Sequence, residues 1–322
     1  MSPESKIKQE IKALLRKEGF EVKNIIKLPG DASERDFYRV FTSTQNFIFL
    51  LYPFPINEEL NLIKAYKLYS KSDLPISKIL RLWCDRGALL LQDLGDESLQ
   101  KFVKTKSNNE VNKIYCQAIN LIQKIQKKGF ENITKSYFLN RYLLDKKRLI
   151  WELNFFLENY VQKFLRKSIK KEKYMELFNI LIDLIDLKRK VLCHRDYHSR
   201  NLFILKNRIY IIDYQDTTLG PPLYDLASLI FDSYVKLKKK MKNYLIDYAY
   251  KLNNYGWKFK EFQRQLLLTS LQRNIKALGT FGYLVTVKNK KIYQFYMKRT
   301  IDYIKENLQF FEGLKEIENL LE

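Results

Sequence analysis

Apolar residues recur with a helical period at Ile7, Ile11, Leu14 and Leu15, and the stretch from Lys6 to Glu18 stops at Gly19, a residue suited to closing a helix. The period then falls to two. Val22 to Leu28, Asp36 to Thr42 and Asn46 to Tyr52 predict three antiparallel strands, with Pro29-Gly30-Asp31-Ala32-Ser33 as the turn between the first two. Glu58 and Glu59 open a predicted helix carrying Leu60, Ile63, Tyr66 and Tyr69 on one face, and Pro75 to Leu82 and Gly87 to Leu91 predict two further strands. From Glu110 the pattern is helical. One stripe runs through Val111, Ile114, Tyr115, Ala118, Leu121, Ile122 and Ile125, a second through Leu149, Leu153, Phe156, Leu157 and Tyr160. Near the end, Leu267, Leu271, Ile275 and Leu278 form the apolar side of a helix over Gln265 to Leu284, which leaves Gln272, Arg273 and Lys276 on a side expected to be solvated.

One stretch breaks this patterning and carries chemistry. Cys193-His194-Arg195-Asp196-Tyr197-His198-Ser199-Arg200-Asn201 precedes two apolar runs, Leu202 to Leu205 and Arg208 to Ile212, that are separated by Lys206-Asn207 and followed by Asp213. This is the order of a catalytic loop leading into a hairpin whose far end presents a carboxylate. Protein kinases use the same order, with the loop Asp accepting the proton of the acceptor hydroxyl and the Asn and second Asp holding magnesium. A transferring phosphoryl group needs a hard cation held by oxygen ligands, which Asn201 and Asp213 supply, and a free carboxylate near the acceptor, which Asp196 supplies.

The other half of such a site is expected near the amino terminus. Backbone N–H groups of the Gly30 to Ser33 turn, with the Ser33 hydroxyl, are suited to cradling phosphate oxygens. Arg35 and Arg39 stand four positions apart, on one face by the strand period of two, and either pairs with phosphate or remains a surface charge. The third strand, Phe47 to Tyr52, lacks the Lys that protein kinases carry there. Either another cation such as Arg35 or Arg39 replaces it, or the protein is a weak catalyst. Glu58 or Glu59 stands where a kinase has its ion-pair Glu, though acidic residues at a helix start equally suit the macrodipole. The polar segment Gln92 to Asp96 reads as the joint between two lobes, residues 1–94 and 95–322, with Asp93 and Leu94 touching nucleotide through their main chain. Asp225, early in the helix after Gly220-Pro221-Pro222, is expected to brace the catalytic loop by accepting backbone N–H bonds; Asp216 is a turn residue, a brace or a second metal ligand.

Composition narrows the setting. With 322 residues and 46% apolar content the chain can bury a substantial core in two lobes. The charged start and the lack of an apolar run near about 18 residues predict a soluble protein of the cytoplasm rather than a membrane protein. Three cysteines, Cys84, Cys116 and Cys193, make no C-x-x-C pair and are expected to be reduced. The net charge of +22 raises the alternative of a non-catalytic protein that binds nucleic acid or another anion. Lys and Arg are spread through nearly every segment, however, and the run from Lys236 to Lys242 reads as the solvated end of a helix, so nucleic acid is not the expected partner.

Taken together, HRDYHSRNL and IIDYQDTTLGPPLYDLASL with their spacing resemble the aminoglycoside phosphotransferase-like small-molecule kinases. More narrowly, PGDASERDFYRV, LLLQDLGDESL, RLIWELNFFLENYV and LQRNIKALGTFGYL look like the bacterial N-acetylmuramate/N-acetylglucosamine anomeric kinases. The resemblance implies an α+β, bilobal protein-kinase-like fold: a small antiparallel-sheet lobe covering the nucleotide and a larger, mainly helical lobe holding the catalytic loop and acceptor site. It implies ATP and Mg2+ as cofactors, a sugar as the small-molecule substrate, and a monomer. His198, two residues past the base, is then either a hydrogen-bond donor to the γ-phosphate or a brace of the loop. Arg273 and Lys276 become candidate contacts to the sugar or to a lactyl carboxylate. The third strand ends in Leu51-Tyr52-Pro53-Phe54-Pro55, bulkier than the group's usual residues, so no contact is carried over there. Kinases of the same fold acting on another small alcohol or on an aminoglycoside are the main alternative.

Overall fold

The computed structural model describes residues 2–29, 35–133, 137 and 143–322. Helix α1 (Pro3–Lys17) is capped by Ser2, whose hydroxyl accepts the Ser5 N–H, and Gly19 turns the chain at a φ of +84°. Strands β1 (Val22–Leu28), β2 (Asp36–Thr42), β3 (Asn46–Leu51), β4 (Ile79–Trp83) and β5 (Ala88–Gln92) form one antiparallel sheet in the order β1-β2-β3-β5-β4. Alternation divides its two faces. Tyr38, Val40, Phe47, Phe49 and Leu90 pack with Ile11 and Leu15 of α1 into a core of their own, while Phe37, Arg39, Ile48 and Leu91 face the cleft beneath.

Two departures from the sequence reading sit around α2 (Asn61–Lys71). Glu58 and Glu59 precede the helix instead of opening it, and pair in solvent with Lys67 and Lys64. The strand expected from Pro75 begins only at Ile79, because the residues before it are drawn to the other lobe: Ile76 bridges Ile211, whose N–H bonds to the Pro75 carbonyl.

The larger lobe is mainly helical. Helix α3 (Leu99–Thr105), which the sequence pattern does not announce, leads to α4 (Asn108–Lys124), opened by a reciprocal Ser107–Glu110 capping box. Helix α5 (Lys146–Phe156) continues to Phe164 in wider turns, and α6 (Lys171–Asp183) follows. Strand β6 (Val191–Cys193) pairs with β9 (Thr218–Gly220), and between them lies the hairpin of β7 (Leu202–Leu205) and β8 (Arg208–Ile211). Lys206 and Asn207 turn that hairpin, both at positive φ, the two-residue geometry that matches strand twist. Helices α7 (Tyr224–Ile230), α8 (Lys239–Lys251), α9 (Phe259–Thr286) and α10 (Gln294–Leu308) complete the lobe.

Helix α9 overturns the expectation of a solvated side. It runs through the middle of the lobe against α5, α7 and α10, so Gln272, Arg273 and Asn274 are buried along with Leu271 and Ile275. Two glycines permit this approach. A Cβ at Gly279 would stand 2.7 Å from the Phe156 Cα, and one at Gly282 would stand 2.6 Å from the Asn159 carbonyl oxygen. The lysine run is also corrected: α8 starts at Lys239, and Lys242 is buried over the rings of Phe231 and Tyr303, its ammonium paired with Glu306. No helix among the described residues is long and apolar enough to cross a membrane. All three cysteines are free thiols.

Candidate active site

The loop between β6 and β7 is held in shape by buried acids from elsewhere in the lobe. Asp225, fully buried at the start of α7, accepts the N–H of His194 at 2.7 Å and that of Arg195 at 3.0 Å. These bonds secure a backbone turned to a φ of +79° at Arg195. Asp232 repeats the device, accepting the N–H groups of Ser199 and Tyr234. Burial pushes both carboxyls up from their ordinary values, and the amides that point at them oppose it. A third acid, Glu152 of α5, takes the Arg195 guanidinium at 3.2 Å and the Gln272 amide at 3.0 Å, tying the loop to α5 and α9 at once. His194 lies under the loop with its Nε2 at 3.0 Å from the Ile212 carbonyl.

So braced, the loop presents Asp196 to the cleft. Its carboxylate lies 3.2 Å from the Lys276 ammonium and 3.7 Å from the Arg273 guanidinium, both from α9. Burial opposes ionisation, but Lys276, Arg273 and Arg195 outweigh it and hold the carboxyl well below its ordinary value. Arg273 also donates to the Arg195 carbonyl at 2.7 Å and covers the Tyr224 ring. Asn201 joins the two halves of the motif: its amide N–H bonds to the Asp196 carbonyl at 2.9 Å and reaches Asp213 Oδ2 at 3.4 Å. Asp213 follows β8 at a φ of +62°, 41% exposed, its other oxygen accepting the Gln215 amide.

His198 meets the Tyr234 ring edge-on, with ring centroids 5.0 Å apart, and its Nδ1 is buried without a hydrogen-bond partner among the described residues. Burial, helped by Arg273 and Arg200 and opposed by Asp196, pulls its pKa down to about 3. It is a neutral imidazole at physiological pH. Asp216 is exposed in the turn after Asp213.

Above the loop, Arg35 approaches the metal-side carboxylate, its guanidinium 3.7 Å from Asp213 Oδ1. Arg39 of β2, which also lines the cleft, is committed instead to the lobe joint: it pairs with Asp93 at 2.8 Å and Asp96 at 2.8 Å and donates to the Gly95 carbonyl. Its cross-strand neighbour on β3 is Ile48, so the sheet offers no ammonium there. Leu94 is buried, and Asp93 and Leu94 both line the cleft. Ser33 falls outside the described residues. The cleft between sheet and loop, of about 870 Å³, is lined by Asp196, Asn201 and Asp213 and also by Tyr234, Phe281 and Tyr293.

Asn201 and Asp213 are the residues suited to a magnesium ion. Among the described residues no three His, Cys, Asp or Glu side chains gather as a metal cage. One carboxylate and one amide oxygen fit a cation that takes its other ligands from phosphates and water.

Glu152, Asp232, Arg200 and Tyr234 escape the sequence reading. Glu152 left a trace: it stands three residues after Leu149 and four before Phe156, inside an apolar stripe where only a partnered acid is tolerated. Asp232 follows the apolar run Leu229-Ile230-Phe231 with no comparable sign.

An antiparallel sheet closing over a helical lobe, with an acid, an amide and a second acid converging in the cleft, defines a phosphotransferase of the protein-kinase-like fold. The sequence model of the phosphotransferase enzyme family matches residues 24–250, and the chain belongs to that family. Among curated relatives, the N-acetylmuramate/N-acetylglucosamine kinase of Pseudomonas putida is 26% identical over 300 residues, 91% of this chain and 86% of that protein. The enzyme of the same name from Neisseria meningitidis serogroup B is 26% identical over 252 residues, covering 76% and 73%. Among solved structures, a choline/ethanolamine kinase family protein from Mesorhizobium loti superposes with a TM-score of 0.64 at 13% identity, covering 98% of this chain and 99% of that one. The ADP-bound aminoglycoside phosphotransferase APH(2'')-Ib gives 0.61 at 14% identity, covering 96% and 98%. The protein is thus a bilobal α+β kinase.

Proposed function

We propose that this kinase transfers the γ-phosphoryl group of ATP to the anomeric hydroxyl of N-acetylmuramate, N-acetylglucosamine or both, acting as a cytoplasmic monomer. The observation that carries this reading is the ionised Asp196, held in the cleft by Lys276 and Arg273. The names of the curated relatives support the sugar, and an ADP-bound structural neighbour supports the nucleotide.

In this reading residues 1–94 cover the nucleotide and residues 95–322 hold the acceptor. Asp93 and Leu94 meet the base through their main chain, while Ser33 and Arg35 attend the phosphates. Asn201 and Asp213 hold Mg2+, which neutralises phosphate oxygens when bound. Asp196 orients the acceptor hydroxyl and takes its proton. A carboxylate held so strongly in its charged form is a weak base, which suits an acidic anomeric hydroxyl that releases its proton late, as bonding to phosphorus becomes established. Lys276 and Arg273 keep that carboxylate ionised, and the neutral His198 donates a hydrogen bond toward the transferring group.

The test is an acceptor panel read by ATP turnover. N-Acetylmuramate and N-acetylglucosamine are expected to support ADP release, whereas their methyl glycosides, choline and kanamycin are not. Turnover with a methyl glycoside as fast as with the free sugar would exclude the anomeric hydroxyl as acceptor.

A further inference from the structure

We infer that the turn joining α9 to α10 docks the protein peripherally on an anionic lipid surface, a role that does not depend on the acceptor proposed above. The turn is the tip of a helical hairpin: α9 ends at Thr286, a tight turn spans Lys291–Tyr293, and α10 runs back against α9 from Gln294. Three apolar side chains stand out from it, Val287 at 50% exposure, Ile292 at 56% and Phe295 at 79%, whereas Tyr293 and Met297 turn inward and are buried. Ile292 and Phe295 are three residues apart on consecutive helical turns, so they share a face. The apolar surface continues from Val287 to Tyr283, one turn back along α9, and then through Phe155 to the half-exposed Trp151, with ring centroids 5.6 Å apart at each of the last two steps. Apolar residues exposed singly need no explanation, but a connected set marks a surface that meets a partner.

Charge gives the sign of that partner. No acid occurs between Glu261 and Asp302. Lys288 and Lys291 are exposed beside the apolar side chains, and neither ammonium meets an acid among the described residues. Apolar side chains flanked by lysines suit the boundary between lipid headgroups and acyl chains: the ammonium groups are drawn to anionic headgroups and the apolar groups enter beneath them. Shape favours lipid over other anionic partners. A side chain as bare as Phe295 protrudes, so an acidic protein would need a hollow to receive it, whereas a bilayer yields to it. Nucleic acid would use the lysines and leave Val287 and Ile292 in water. Tyr293, between Ile292 and Phe295 in the sequence, lines the cleft, so the docked face adjoins the cleft.

The experiment sediments the full chain with vesicles of phosphatidylcholine alone and of phosphatidylcholine with about one-third phosphatidylglycerol. Binding is expected on the anionic vesicles and about tenfold or more weaker on the neutral ones. Ile292→Ser with Phe295→Ser, and Lys288→Gln with Lys291→Gln, should each weaken it about tenfold while leaving the denaturant midpoint in place. Because the whole chain carries a net charge of +22, Lys17→Gln with Lys23→Gln removes the same charge from the smaller lobe, and binding should stay within about twofold. A loss there as large as at the tip would assign the attraction to the chain as a whole and overturn the proposal. So would the absence of binding, equal binding to both vesicles, or undiminished binding after Ile292→Ser with Phe295→Ser. An oligonucleotide held more tightly than the anionic vesicles would make nucleic acid the partner instead. A wild-type dimer that Ile292→Ser with Phe295→Ser converts to a monomer would make the tip an interface between copies, which also overturns lipid docking.

Discussion

The two walls of the cleft are built by different physics. Its lower wall, the catalytic loop, is fastened by acids withdrawn from water, Glu152, Asp225 and Asp232, each accepting two N–H groups or a guanidinium. Its upper wall, the cleft face of the sheet, is fastened by charges of mixed exposure: Arg39 pairs with Asp93, 7% exposed, and with Asp96, 72% exposed, while Arg35 lies beside Asp213, 41% exposed. Buried charge pairs resist being broken because the surviving partner is left without water. Exposed ones give way at little cost. The loop wall is thereby held by buried charge throughout, and the sheet wall by buried charge only at Asp93; in the proposed reading this leaves the side that would fix the hydroxyl group the more firmly built.

That contrast can be broken most sharply at Asp196. Asp196→Asn is expected to lower turnover by about 10²- to 10⁴-fold with little change in ATP affinity; steady-state kinetics beside nucleotide calorimetry would measure both, and unaltered turnover would dismiss the assigned base. Next in size is Lys276→Met, expected to cost about tenfold or more in kcat. It also carries a sign. Lys276 favours the ionised form of Asp196, so its loss raises that pKa, and the acid limb of the kcat/KM profile should move to higher pH. A profile that stays in place would show that Lys276 does not govern the base.

A third comparison leaves the charges alone. Gly279→Ala inserts a methyl against the Phe156 backbone and should cost about 1–3 kcal/mol in a denaturant titration, because α9 cannot withdraw without taking Arg273 and Lys276 along. On the upper wall, Arg39→Met should cost about 1–2 kcal/mol, being only partly sheltered, and raise the KM for ATP more than it lowers kcat. The smallest effect belongs to Glu58→Ala. Its partner Lys67 stands in solvent, so kcat/KM should stay within about twofold. A large loss there would restore Glu58 to the role of a kinase ion-pair acid.

Much of the sheet could be read from the chain because strand alternation is local. Val22–Leu28 and Asp36–Thr42 have the bounds the pattern predicts, and the third strand ends one residue short of Tyr52. The Asp196, Asn201 and Asp213 set was legible for the same reason: loop, hairpin and turn lie within one short stretch. Helix α9 itself was legible, but the burial of its polar side was not. Its polar residues Gln272 and Arg273 sit on a side that a single helix would present to water, and only the arrival of Glu152, Arg195 and Asp196 from remote segments makes their burial tolerable.

Sequence alone determined the periodicities, and with them the strands of the large sheet and of the hairpin, though not β6 and β9, most of the helices and the order of the reacting groups, since each depends on neighbours a few residues away. Tertiary structure alone decided which cations serve which acids. Arg39 and Arg35 both line the cleft, yet one is spent on the lobe joint and the other reaches Asp213; Arg273 and Lys276 reach Asp196 across a separation of about eighty residues. Electrostatic partnership depends on distance and dielectric in three dimensions, and neither is written in the spacing along a chain.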